Sequence, residues 1–422
     1  MNDERQAKLE CDIRLPASKS ESNRALMVAA YGGFSPDFQN LSDSEDTLVL
    51  KKALEEIRAG RAWQTIDVGD CGTAARFLLV FLACRDGQWL LSGSERLRQR
   101  PMAPLVEALQ QLGANVQYVE RQGVLPLRIQ GKTLSGGAVA LDASRSSQFA
   151  SALLLAAPMW AQGLRLELLG QLNSLPYIDM TLAVMRHFGA SAQRLGRTIL
   201  VEPKPYREQG FVVASDWSAA SYWFEMAALS EECHIRLLGL STTSLQGDSI
   251  VAKWMQELGV ASEETDKALV LRKMPFEKHP LSFDFTSCPD LFPAVAATCA
   301  GLQIEAVFTG IANLSVKESD RVEAMRLELA RIGTALRQDG EDVLILKPSD
   351  MLPFFDKTHP LSFKSHGDHR VVMALAPLAL RIGALAFDHP QVVAKSYPNY
   401  WKDVGSVPFL WQNKEYLLSK YL

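Results

Sequence analysis

The stretch Leu15-Pro16-Ala17-Ser18-Lys19-Ser20-Glu21-Ser22-Asn23-Arg24 carries two cations and three hydroxyls and runs directly into Ala25-Leu26-Met27-Val28-Ala29-Ala30. Pro16 favours an extended residue before it, the serines can serve as helix N-caps, and the apolar run calls for a buried helix. Backbone N–H groups, hydroxyls, Lys19 and Arg24 then meet at one helix start, which suits a phosphate or a carboxylate. The plainer alternative is a capped helix whose cations face water.

A second stretch, Asn313-Leu314-Ser315-Val316-Lys317-Glu318-Ser319-Asp320-Arg321, is expected at another helix start. There Lys317 and Arg321, four residues apart, share a face and Glu318 has its own. A carboxylate among cations fits proton transfer on an anionic substrate; a surface ion pair between Glu318 and Arg321 is the alternative. Asp290, behind Pro289, reads either as an N-cap or as a group that accepts from a substrate hydroxyl or acts as a base. Nine cations, Lys19, Arg24, Arg76, Arg100, Arg145, Lys317, Arg321, Arg370 and Lys395, lie at such openings or in short loops beside them. The helix dipole disfavours cations at N-terminal ends, so their recurrence points to anionic ligands, although solvation explains any single one. His366 and His369 are three residues apart with no third ligand nearby, and no metal is expected.

These residues need elements to hold them, and one unit recurs six times: a polar opening followed by a largely apolar helix. The openings are Ser18-Lys19-Ser20, Asp70-Cys71-Gly72-Thr73, Ser146-Ser147-Gln148, Ser215-Asp216-Trp217-Ser218, Ser287-Cys288-Pro289-Asp290 and His366-Gly367-Asp368-His369-Arg370. Their helices are expected over 24–30, 74–83, 149–157, 219–229, 291–300 and 371–380, apolar nearly all round and therefore buried. Amphipathic second helices over 102–112, 177–188, 248–258 and 317–332 each end at a glycine, the usual residue past a helix C-terminus. Short β-branched runs such as Ile199-Leu200-Val201 and Val343-Leu344-Ile345-Leu346 supply strands. Repeats of this size exceed a solenoid unit, and three per domain is the simplest division, with a boundary near Val213-Ala214-Ser215. Polar openings gathered on a cleft would attract an anion there.

With 422 residues, 47% of them hydrophobic, the chain can bury a large core in two domains. Its net charge of −4 argues against a protein that coats nucleic acid, and no apolar run approaches a membrane span. The charged start, Met1-Asn2-Asp3-Glu4-Arg5, leads into no apolar segment, so a cytoplasmic location is expected. The six cysteines are scattered without a Cys-x-x-Cys pair and are expected reduced. Ile129-Gln130-Gly131-Lys132-Thr133 lacks the leading glycine of a Walker A loop, and neither Gly-x-Gly-x-x-Gly nor Gly-x-Ser-x-Gly occurs. No exposed apolar heptad calls for a partner, and a monomer is expected.

Taken in order, the motifs resemble the 5-enolpyruvylshikimate-3-phosphate synthases over nearly the whole chain. Leu15-Pro16-Ala17-Ser18-Lys19-Ser20 with Asn23-Arg24 is similar to the family's first motif, Gly72-Thr73-Ala74-Ala75-Arg76 to its Gly-Thr loop and Arg100-Pro101-Met102 to its Arg-Pro motif. Ser146-Ser147-Gln148-Phe149, Pro176-Tyr177-Ile178-Asp179, Gln246-Gly247-Asp248, Lys317-Glu318-Ser319-Asp320-Arg321, Gly367-Asp368-His369-Arg370 and Ala394-Lys395-Ser396-Tyr397-Pro398 complete the series. The resemblance implies an α/β (α+β) enolpyruvyl transferase fold of two domains, each of three βαβαββ units. Residues 1–14 and 215–422 would form one domain and 15–214 the other, which would carry most shikimate 3-phosphate contacts, with hinges near 14–16 and 213–216. Phosphoenolpyruvate would be held by Lys19, Gly72, Arg100, Gln148, Arg321, Arg370 and Lys395. Shikimate 3-phosphate would be held by Ser20, Arg24, Ser146, Ser147, Ser174, Tyr177, Asp290, Asn313 and Lys317. Lys19, Asp290 and Glu318 would handle protons as the shikimate 5-hydroxyl adds to C2 of phosphoenolpyruvate and phosphate departs, with no metal or cofactor. Domain closure would exclude water and bring cations from both domains onto one ligand.

Three positions depart from the family's habit. Asp70-Cys71 stands for Asn-Ala, Phe77 for Pro and Leu175 for Lys, and the first two bear on inhibitor sensitivity, notably to glyphosate. The sister transferase acting on UDP-N-acetylglucosamine would need a cysteine-bearing loop after the Arg-Pro region, and none lies between Cys84 and Cys233. A non-catalytic anion-binding protein of two closing domains accounts for the cations but gives no reason for Glu318 and Asp290 beside them.

Overall fold

The computed structural model describes residues 8–60, 63–144, 146–356 and 358–406; Arg145 and the charged start at 1–5 lie outside the described residues. The chain divides into two compact units. One is Ala17–Val213, and the other combines the residues up to Pro16 with those from Ala214 onward.

Among the described residues the 17–213 unit holds six α-helices: α1 (Lys19–Gly32), α2 (Glu45–Arg58), α3 (Gly72–Ala83), α4 (Ala103–Gln111), α5 (Ser147–Ala156) and α6 (Leu175–His187). Two four-stranded sheets share one pattern. Strand Trp63–Asp67 pairs in parallel with Gly87–Ser92, which is followed antiparallel by Leu127–Gly131 and then Asn115–Tyr118. Gly137–Asp142, Leu164–Leu169, Thr198–Val201 and Ala192–Leu195 repeat that order. The parallel pair needs a crossover helix, which α3 and α5 supply, and the hairpin needs only a tight turn. The third repeat, around α1 and α2, is reduced: its strands are the two-residue Phe38–Gln39 and Phe211–Val212.

The other unit holds α7 (Trp217–Leu229), α8 (Val251–Glu257), α9 (Phe292–Leu302), α10 (Arg321–Ala330), α11 (His369–Leu375), α12 (Ala379–Ile382) and α13 (Tyr400–Gly405). Lys8–Arg14 pairs in parallel with Glu232–Leu238, in register from Lys8↔Glu232 to Arg14↔Leu238, so the beginning of the described chain is the edge of a sheet completed by residues beyond 230. Its burial alternates, Leu9 and Ile13 inward and Lys8, Glu10 and Asp12 outward, as a half-buried strand requires. A second sheet orders Leu281–Asp284, Ala306–Thr309, Val343–Lys347 and Ala335–Gln338 in the same way, and the last repeat keeps only Leu361–Phe363 and Leu385–Phe387.

In each unit the three apolar helices pack on one another, α1, α3 and α5 in one and α7, α9 and α11 in the other. Every side chain of α7 and α9 is buried. Surrounded by apolar neighbours, these helices need no amphipathic stripe, and their only polar ends are the openings. The caps are side chains: Ser18 accepts from the Glu21 amide, Cys71 from Ala74, Ser146 from Gln148, Asp216 from Ala219 and Asp368 from Arg370.

Two expectations are corrected. The helix expected over 371–380 is broken, because Pro377 has no N–H to continue it; α11 stops at Leu375, a 3-10 turn covers Ala376–Leu378 and α12 resumes. The helix expected over 317–332 begins only at Arg321, capped by Asp320, whose carboxylate accepts from the Glu323 amide at 3.1 Å. Lys317 is extended and precedes it, so Lys317 and Arg321 do not share a helical face.

Candidate functional site

In the 17–213 unit, the openings of α1, α2 and α3 meet. Lys19 Nζ lies 3.0 Å from Asp46 Oδ2 on the first turn of α2, and the Cys71 thiol donates to the Asp46 carbonyl at 3.5 Å. The openings of α3 and α5 meet as well: Gln148 Nε2 donates to Thr73 Oγ1 at 3.0 Å. Arg76 Nη1 donates back to the Gly72 carbonyl at 2.8 Å, and a Cβ placed on Gly72 would lie 2.5 Å from Arg76 Nη1 and 2.7 Å from Arg100 Nη1. Two guanidinium groups therefore close over a helix start that only glycine leaves open, a cradle fit for an anion.

Arg24 is 2% exposed and stitches three helices. Its Nε donates to Thr181 Oγ1 at 2.7 Å, Nη1 to the Ser20 carbonyl at 2.9 Å, and Nη2 to Ser151 Oγ and the Tyr177 carbonyl at 3.2 and 3.1 Å. Burial draws its pKa down to about 10, with the nearby Tyr177 and Glu21 opposing, and it stays charged at neutral pH. Phe77 lies under this guanidinium with its ring centroid 5.7 Å away. Ser174 takes a left-handed φ of 60° before α6, and Asn173 Nδ2 donates to the Ser144 carbonyl at 3.1 Å. That bond ties the loop of Ser174 to the one leading into Ser146 and Ser147. Asp70 accepts from the hydroxyl of Ser94.

In the other unit the centre is Arg321, 1% exposed. Its Nη1 reaches Asp290 Oδ1 at 2.7 Å, Nη2 reaches Glu318 Oε2 at 3.0 Å and Nε reaches Asp368 Oδ2 at 2.9 Å. Asp290 also accepts from Arg370 Nη2 at 2.7 Å. The ion pair between Glu318 and Arg321 thus exists, but within a buried network, where losing one partner costs far more than at a surface. Asn313 lies beside the 3-10 turn Leu314–Val316, and Lys395 ends the 3-10 turn Pro390–Lys395, which packs on α11. His366 pairs with Glu328 at 2.8 Å, while His369 is buried on α11; among the described residues no group of acidic, histidine or cysteine side chains is placed to hold a metal ion.

Burial alone would raise the pKa of Asp290, but the charges of Arg370, Arg321 and Lys317 hold it well below the usual carboxylate range. Asp290 is thus an ionised acceptor and a poor proton donor. Asp248 behaves oppositely. Fully buried, and next to the negative Asp290, it is pushed up to about 7 and accepts from the Ser218 hydroxyl. Sequence reasoning assigned no site role to Asp46, Asp248 or Asp368. Asp368 lies in the opening Gly367-Asp368-His369-Arg370 and Asp248 in Gln246-Gly247-Asp248, but nothing in the sequence tells that the first faces a buried cation or the second another carboxylate.

The profile of the EPSP synthase (3-phosphoshikimate 1-carboxyvinyltransferase) family matches residues 55–404. A 3-phosphoshikimate 1-carboxyvinyltransferase of Bacteroides fragilis is 42% identical over 404 residues, covering 96% of this chain and 96% of the relative. One from Histophilus somni is 32% identical, covering 95% and 97%. Among solved structures, an EPSP synthase from Acinetobacter baumannii superposes with a TM-score of 0.73 at 23% identity, covering 94% of this chain and 95% of that one. The enolpyruvyl transferase NikO from Streptomyces tendae gives 0.68 at 16% identity, with 95% of each chain covered. These last two show a shared enolpyruvyl transferase fold.

Proposed function

The chain belongs to the EPSP synthase (3-phosphoshikimate 1-carboxyvinyltransferase) family, and we propose that Glu318 is its principal proton-handling group, with Asp290 an ionised acceptor that orients the substrate. The reaction transfers the enolpyruvyl group of phosphoenolpyruvate to the 5-hydroxyl of shikimate 3-phosphate. The hydroxyl oxygen bonds to C2 and loses its proton while C3 gains one; phosphate then leaves C2, and C3 gives up a proton to restore the double bond. Both substrates carry several negative charges, so forked and point-charge donors must dominate their binding.

Within the 17–213 unit, Lys19, Gly72, Arg100 and Gln148 are assigned to phosphoenolpyruvate. Ser20, Arg24, Ser146, Ser147, Ser174 and Tyr177 are assigned to shikimate 3-phosphate. Arg24 already spends four donor contacts on the protein, so it contributes a fixed positive field and the placement of Ser20 and Tyr177. In the other unit Arg321, Arg370 and Lys395 are assigned to phosphoenolpyruvate, and Asp290, Asn313 and Lys317 to shikimate 3-phosphate. Each charge-assisted bond is worth about 1.5–3 kcal/mol. Lys19, tied to Asp46, remains a second proton carrier. The described cysteines are all free, which suits a reducing cytoplasm, and the protein is proposed to act as a monomer.

The observation that carries this division of labour is the network around Arg321. It depresses Asp290 through the guanidinium groups of both Arg321 and Arg370, and it brings Glu318 to the same centre through Nη2 of Arg321 at 3.0 Å. Glu318→Gln is expected to lower kcat by about a hundredfold or more while leaving the shikimate 3-phosphate Kd within about twofold. An unchanged kcat would remove Glu318 from proton transfer.

A further inference from the structure

A cavity of about 550 Å³ opens in the 17–213 unit beside the C-terminal end of α1, the end of α3 and one face of α2. Its size is that of pockets which bury small organic ligands. Leu26, Phe34, Phe38, Leu54, Ile57 and Phe81 give it an apolar wall. At its mouth stand three exposed cations, Lys51, Arg58 and Arg85, against one carboxylate, Glu55. Positions 51, 54, 55 and 58 form one stripe of α2, so the charges and the apolar wall belong to the same helical face. Arg58 Nη1 donates to Ser35 Oγ at 3.4 Å, which holds its guanidinium at the loop Ser35-Pro36 on the cavity's edge.

The wall is built in advance. α1 ends at Gly33 with φ of 71°, and the Phe34 amide donates back to the Ala29 carbonyl at 3.2 Å. A Cβ on Gly32 would lie 2.0 Å from the Phe34 ring, so glycine is what allows that ring to fold over the helix end. Phe34 is then held by stacking on Phe188, centroid to centroid 6.1 Å. The opposite ends of α1 and α3 carry Lys19 and Gly72, about 21 Å away along α1 at 1.5 Å per residue. The cavity is thus separate from the anion cradle.

We propose that this cavity is a second ligand site, for a small arylalkyl carboxylate. Its ring packs against Phe34, Phe38 and Phe81, and its carboxylate faces the cationic mouth formed by Lys51, Arg58 and Arg85. The excess of positive charge selects an anionic head over a neutral one, and the aromatic wall selects the body.

The test is calorimetric titration of the full chain with 4-phenylbutyrate and with 4-phenylbutan-1-ol, which share the body and differ in the head. The acid should bind about tenfold or more tightly than the alcohol. The double variant Lys51→Glu/Arg58→Glu, altered only at exposed positions, should remove that preference. Leu54→Trp, which fills the cavity, should abolish binding of both, with unfolding temperatures of all variants measured alongside. Equal binding of acid and alcohol, acid binding that survives the charge reversal, or no binding of the acid at millimolar concentration would each overturn the proposal.

Discussion

Asp248→Asn should change how stability depends on pH in a calculable way. Asp248 is 2% exposed, one oxygen accepts from Ser218, and the other makes no hydrogen bond among the described residues. Burial first, and the charge of Asp290 second, lift its pKa from an ordinary 3.8 to about 7. Between those values the folded chain keeps a proton that the unfolded chain releases. The contribution is fully present below pH 3.8 and is lost as pH rises to 7. About three pK units, at about 1.36 kcal/mol each, set a ceiling of about 4 kcal/mol. Asparagine keeps an acceptor for Ser218 and has no proton to lose, so the variant lacks this slope. Asp290, held low, loses its contribution only below the same window and does not mask the effect. Urea unfolding can be followed by the fluorescence of Trp217 and Trp223, which share α7 with Ser218. Variant and wild type should be close near pH 4, and the variant should be the more stable by a few kcal/mol at pH 8. Parallel stability curves across that range, or a wild type that gains on the variant as pH rises, would refute the reasoning.

Two further substitutions probe the anion-binding clusters. Arg321→Lys keeps one charge but replaces a three-sided donor by a point, leaving buried Asp368 or Asp290 short of a partner; a loss of about 3 kcal/mol and a raised KM for phosphoenolpyruvate are expected from urea unfolding and steady-state kinetics. Gly72→Ala would set a methyl group within 3 Å of the Arg76 and Arg100 guanidinium groups, so KM for phosphoenolpyruvate should rise by about tenfold while the unfolding temperature stays nearly unchanged.

The buried helices were legible because their composition admits one environment: Phe292–Leu302 has no polar face and can sit only among other elements. Helix openings were legible for the same local reason, since Ser18, Ser146 and Asp216 are residues that cap. Where a local rule was stretched over several residues it failed. The spacing of Lys317 and Arg321 fits a helix, but Asp320 is the better cap, and Pro377 interrupts an apolar run that otherwise reads as continuous. The pairing of Lys8–Arg14 with Glu232–Leu238 joins residues more than two hundred positions apart, a relation no periodicity encodes. The same holds for charge. Arg321 and Glu318 are neighbours in sequence, but Asp290 and Asp368 reach that guanidinium from other helix openings. Asp248 acquires its raised pKa only because the fold buries it near Asp290.

The most direct measurement is phosphate release by the purified protein from phosphoenolpyruvate, run with and without shikimate 3-phosphate. Membership of the family and the clusters around Gly72 and Arg321 predict release only when both substrates are present, with one enolpyruvyl product formed per phosphate. Release from phosphoenolpyruvate alone, or none when both are supplied, would contradict the enolpyruvyl transfer.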